Sequence, residues 1–267
     1  MIRLLHIEFI KVLHFKALWY LFVIYIIALA IILFGVQSFI NDIIGDAGRK
    51  LPITIPKMSL YAFPLVWHNL TYLAGFFKVF PAIMFVILTT NEYSYKTIRQ
   101  QVITGLSRNE LFLAKLLLNI STAIIMGILV GIFGLILGII NTEALTLSLL
   151  FGKSEFLLAY VFEVFAYTSF AYFITTIVKR SGFAIGVILL WAYIAEPIIA
   201  YYLPGNGDDF LPIRSIGNLI QIPNSQLMRI FGIEFQEYIA FSEVYIAAAY
   251  ALLFNFAVWI IYRRTDL

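Results

Sequence analysis

The sequence predicts an all-α integral membrane protein with six transmembrane helices, an N-terminal interfacial amphipathic helix and a cytoplasmic elbow between spans two and three. Three observations lead there. Hydrophobic residues make up 62% of the 267-residue chain and charged residues only 12%, whereas a soluble domain carries about 25% charged residues. Mean hydropathy is +0.95. Apolar runs also recur at the length of about 20 residues that a helix needs to cross the hydrocarbon core.

Each span follows from a run almost free of charge. Residues 17–40, 116–140 and 244–262 contain no Asp, Glu, Lys or Arg. Residues 156–178 carry only Glu163, and 183–203 only Glu196. The second span is expected at 70–90, where Lys78 is the lone charge. A lysine there can snorkel or pair. Ahead of span one, Leu4, Leu5, Phe9, Val12 and Phe15 alternate with Arg3, Lys11 and Lys16, the composition of an interfacial helix whose cations meet membrane lipid headgroups. This start lacks the short apolar core and small-residue cleavage site of a signal peptide, so it is expected to be retained. The whole chain reads as one transmembrane domain.

Loop charge sets the orientation. With the N-terminus inside, the inner side collects Arg3, Lys11, Lys16, Lys96, Arg99, Arg108, Lys115, Lys179, Arg180, Arg263 and Arg264 against Glu8, Glu92, Glu110 and Asp266. Both termini are therefore expected in the cytoplasm, and five spans would put the basic 91–115 segment outside. Orientation thus supports six.

That segment, "NEYSYKTIRQQVITGLSRNELFLAK", has its own local logic. Ile98, Val102 and Leu106 recur at helical spacing, forming an apolar stripe. Gly105 interrupts the helix. Ser107 to Glu110 has the S-x-x-E form of a capping box, so a second helix should begin at Ser107 and run into span three. Helix, glycine turn and capped helix make an elbow, although a solvated loop that merely satisfies topology is the simpler alternative.

At these residues the chain resembles ABC-2-type permeases, the membrane subunits of many ATP-driven exporters. The resemblance rests on an acidic residue after span two (Glu92, followed by Tyr93), a Thr-hydrophobic-Arg triplet (Thr97, Ile98, Arg99), a Ser-Arg pair (Ser107, Arg108) and Lys115 before span three. The family often has Gly before the Thr and Pro before the Ser-Arg; here stand Lys96 and Gly105-Leu106. The resemblance implies that Glu92, Tyr93, Thr97, Ile98, Arg99, Val102, Ser107 and Arg108 couple to an ATP-binding subunit, present in two copies. A second permease copy or paralogue would complete the exporter in a bacterial inner membrane. A short helix with an apolar stripe can dock into a partner groove and pass on a rigid-body movement, and the four-residue inner loop 179–182 is a candidate second contact. ATP and Mg would bind the partner. This chain is expected to bind no cofactor and to be no enzyme, because it lacks G-x-x-x-x-G-K-[ST]; the tempting "FGKSEF" has Leu147 where the first Gly belongs.

Other chemistries find no foothold. Cysteine is absent, which excludes disulfides and thiolate sites. His6, His14 and His68 lack metal-ligand spacing, and nothing suggests nucleic acid as a partner. Lys78, Glu163 and Glu196 lie roughly 10–12 Å below the outer ends of their spans at 1.5 Å per residue. Intramembrane charges are functional candidates, and Lys78 is expected to pair with Glu163 or Glu196, either along a substrate path or as a structural tie. Pro197 should kink span five. The outer loop, 204–241, is expected to carry two short amphipathic helices. Gly127, Gly131, Gly134 and Gly138 form small-xxx-small pairs that permit close helix contact. A secondary transporter and a non-transporting scaffold remain the competing classes.

Overall fold

The computed structural model describes residues 2–50, 60–204, 207–223 and 236–264. Among them the chain is helical, with one isolated bridge between Pro223 and Gln236. The helices are α1 (Ile2–His14), α2 (Lys16–Lys50), α3 (Val66–Gly75), α4 (Val79–Ser94), α5 (Thr97–Ile103), α6 (Arg108–Asn141) and α7 (Leu147–Phe151). They continue with α8 (Glu155–Val178), α9 (Ser181–Leu190), α10 (Glu196–Tyr202), α11 (Pro212–Gly217) and α12 (Phe241–Arg264). Among the described residues five helical stretches are long and apolar enough to cross a membrane, and α3 with α4 makes a sixth if the bent pair is one span.

The bend in that pair is 47°, and its cause is local. Pro81 has no N–H to give the Phe77 carbonyl, and its ring crowds that carbonyl. Phe77 O instead accepts from Phe80 N at 3.0 Å, and α4 restarts at Val79 with Pro81 in its first turn, where proline is tolerated. Lys78 sits at the break. The expected span at 70–90 is thus two helices that begin earlier and end later.

The feature beside Pro197 is a π turn, Trp191–Ala195, joining α9 to α10. Removal of one backbone donor by proline is met here by widening the preceding turn, a common adjustment in membrane helices. α2 runs ten residues past the expected end at 40, to Lys50, with no proline before Pro52 to stop it.

α8 is the central post. It packs against α3, α4, α6, α9, α11 and α12, and 61% of the apolar stretch it forms with α7 is buried, against 17% of the α9–α10 stretch. Lipid is as apolar as leucine, so side-chain burial alone does not drive these contacts; close packing does. The α6 glycines supply it. A Cβ at Gly127 would collide with Val161 of α8, and one at Gly134 would stand 2.7 Å from the Trp67 ring. Gly131 faces Leu157 and Gly138 faces Phe63, so all four glycines serve contacts within the chain. Polar ties reinforce it: Asn119 and Asn255 both donate to Ser169 Oγ, at 3.0 and 2.9 Å, linking α6, α8 and α12.

Of the two amphipathic loop helices, the first is the single short α11, whose Ile213 and Ile216 are buried in the core. It packs inward and does not lie on a surface, because Ser215 and Ile216 are fully covered by α8 and α12. The second falls largely on 224–235, outside the described residues.

Candidate functional site

At the end of the bundle that carries α1 and α5, four charged side chains close a ring. Lys115 of α6 donates to Glu8 Oε2 of α1 and to Glu92 Oε1 of α4, both at 2.6 Å. Lys11 of α1 donates to Glu8 Oε1 at 2.7 Å and to Glu92 Oε1 at 2.6 Å. Charges alternate around the ring and balance. Glu8, Glu92 and Lys115 are buried, and only Lys11 reaches solvent, at 27% exposure of its side chain. Burial pushes the Glu8 carboxyl upward, but the charges of Lys115 and Lys11 and their hydrogen bonds outweigh it and hold Glu8 below its ordinary value.

The ring sits at the root of the helix–turn–helix formed by α5 and the start of α6. Glu92 is in the last turn of α4, and Lys115 two turns into α6, so the pair closes the base of the segment that connects them. Lys96 turns the chain from α4 into α5 with φ 54° and ψ 23°, the left-handed region that glycine enters without strain. Gly105 makes the second turn at φ 106°. Ser107 then caps α6: its Oγ accepts from Glu110 N at 3.2 Å, while Ser107 N donates to Glu110 Oε2 at 2.8 Å. That reciprocal cap typically contributes about 0.5–2 kcal/mol.

The remaining segment residues divide into two sets. Ile98 is buried and Val102 half-buried, so the apolar stripe seats α5 on its own chain. Arg99, Gln100 and Ile103 face outward, Ile103 with 76% exposure. Thr97 Oγ1 donates to the Glu92 carbonyl at 3.4 Å. Tyr93 meets Tyr262 Oη at 3.4 Å, with Lys179 Nζ 5.6 Å from the centre of its ring. Arg108 donates to the Arg263 carbonyl at 2.6 Å. The α5 end thus gathers α1, α4, the loop before α9, the start of α6 and the end of α12 into one connected body.

Toward the opposite end, Lys78 donates to Glu163 Oε1 at 2.5 Å. Glu196 is elsewhere: it accepts from Trp191 Nε1 at 2.8 Å and from Arg214 N at 2.6 Å, fastening the first turn of α11 to the π turn. His68 stacks on Phe156 at 3.8 Å and bonds Gln221 O at 3.0 Å. No group of three metal-ligating side chains occurs among the described residues.

Glu8 is the residue sequence reasoning passed over. It lies four residues after Leu4 and four before Val12, in the middle of the stripe that α1 turns inward. An acid on an apolar helical stripe is the signal that could have found it. Neither a protein-family model nor a curated protein matches the chain.

Proposed function

We propose that the chain is the membrane-spanning permease subunit of an ATP-driven ABC exporter, with both termini in the cytoplasm of a bacterial inner membrane. Two separate ATP-binding subunits would supply the energy, carrying the ATP and Mg. Two copies of this chain, or one copy and a paralogue, would form the pathway. The observation that carries the reading is the ring of Glu8, Lys11, Glu92 and Lys115 at the base of the α5 segment. A lever transmits movement only if its root is rigid, and this root is tied to three helices by buried ion pairs.

Two further features support it. Lys96 takes a left-handed turn at the position where the resembled pattern carries Gly. The outward face of α5 offers Arg99, Gln100 and Ile103 to a partner, while Ile98 holds the helix down. With α3 and α4 counted as one bent span, this reading puts the outward face of α5 in the cytoplasm, in keeping with the loop-charge rule. In this reading, closure of the ATP-binding subunits pushes α5, and the ring carries the displacement into α1, α4 and α6.

The test is purification of the tagged chain from its native membrane in mild detergent, beside an Arg99→Glu, Ile103→Asp variant. Both substituted residues are exposed, so the fold should survive. The wild type is expected to bring down a stoichiometric ATPase that the variant loses. A wild-type chain that emerges alone and without ATPase activity would favour a secondary transporter or a scaffold.

A further inference from the structure

The break between α3 and α4 opens a second site, independent of what powers the protein. A cavity of about 290 Å³ lies between the break, α8, the π turn and α11, near the small end of the range for small-molecule sites, about 300–1,000 Å³. Its polar part is the Lys78–Glu163 pair. Glu163 uses one oxygen for Lys78; its Oε2 has no hydrogen-bond partner among the described residues, in a residue only 2% exposed. Buried acceptors are normally satisfied. Lys78 carries three donors and spends one on Glu163, and its side chain is 17% exposed. Its ammonium lies 5.6 Å from the centre of the Tyr167 ring, and the buried Tyr167 hydroxyl also lacks a partner among the described residues.

Two glycines border this space. A Cβ at Gly75 would lie 3.4 Å from Glu163 Oε2, and one at Gly217 would lie 3.7 Å from Lys78 Nζ. Side chains at either position would fill the approach to the unused acceptor or to the unused donors. The rest of the wall is aromatic and aliphatic, with Tyr72, Phe76 and Tyr193 beside Ala192, Ile213 and Ile220.

The geometry points to a binding site for a zwitterion that carries a primary ammonium and an anionic group on an apolar body. The ammonium meets Glu163 Oε2. The anion takes the free donors of Lys78 and the Tyr167 hydroxyl, and the apolar body lies against the aromatic wall. The ion pair is neutral, so a singly charged ligand would bring an uncompensated charge into a low-dielectric site, which is costly. A zwitterion adds none and satisfies both ends. Amino-acid-like solutes and ethanolamine phospholipids share this chemistry.

Binding to the purified chain in phosphatidylcholine nanodiscs tests it, with phenylalanine, 2-phenylethylamine and 3-phenylpropionate as probes of one body and three charge states. A second arm counts lysophosphatidylethanolamine against lysophosphatidylcholine by native mass spectrometry, because the quaternary headgroup has no N–H for Glu163. The zwitterion with a primary ammonium is expected to win by at least tenfold in one arm, and that arm identifies the source. Gly217→Val, which keeps the ion pair, should weaken that binding tenfold or more, and Gly186→Ala, where a Cβ meets open space, should not. Equal binding within both arms, or a preference that survives Gly217→Val, would overturn the site.

Discussion

Lys115 holds Glu8 across 107 residues of sequence, with 2.6 Å between ammonium and carboxylate and both side chains buried. The contact fastens the N-terminal helix to the base of α6, and through Glu92 to the end of α4. Helix α1 therefore belongs to the body of the protein and is more than a surface anchor.

Removing one partner from such a ring should be costly. Lys115→Met leaves two carboxylates facing Lys11 alone, and breaking a buried ion pair this way typically destabilises by about 3–5 kcal/mol. Thermal unfolding in detergent should show a large drop for Lys115→Met. Adding Glu8→Gln restores charge balance and should recover part of the loss, a non-additivity that a double-mutant cycle reads directly.

The same ring gives a pH dependence with a defined sign. Glu8 titrates below its ordinary value of 4.5, so the fold favours its ionised form. That contribution is present above the ordinary value and is lost as pH falls through the lowered folded-state value. The stability difference between wild type and Glu8→Gln should be constant from neutral pH down to about 5 and collapse below about 4.5. A difference that grows on acidification would contradict the assignment.

What the sequence made legible was local. Charge-free runs located the long helices, and S-x-x-E located the start of α6 at its residue. The break at Lys78 does not show in the charge-free runs; Pro81, three residues on, is the signal for it. The interfacial reading of α1 counted Leu4, Leu5, Phe9, Val12 and Phe15 and left Glu8 out of the stripe, because periodicity does not say which distant charge an inward acid will meet. Pairing of Lys78 could be narrowed to Glu163 or Glu196 by depth along the spans. Choosing between them required the position of α11, whose backbone N–H at Arg214 claims Glu196.

Charge reversal should follow that choice. Lys78→Glu alone places two carboxylates together and should destabilise by several kcal/mol, on the order of 3–5. Adding Glu163→Lys should restore much of the thermal stability. Adding Glu196→Lys should not, since Glu196 serves Trp191 and Arg214 N instead.

Glycine positions separate by their surroundings. Gly127→Ala and Gly134→Ala push a methyl group into Val161 and Trp67 and should destabilise by about 1–3 kcal/mol, the usual range for overpacking. Gly186→Ala meets open space in α9 and should be neutral or stabilising by about 0.5–1 kcal/mol, the helix-propensity gain over glycine. Melting temperatures in one detergent rank the three.

The proposed coupling role of α5 is tested most directly by photocrosslinking in native membranes, with a photoreactive side chain placed in turn at Arg99, Ile103 and Ile98. A coupling helix should link an ATP-binding protein from positions 99 and 103 and not from the buried position 98. Crosslinks from 99 and 103 that reach only lipid, or no ATP-binding protein at all, would contradict it.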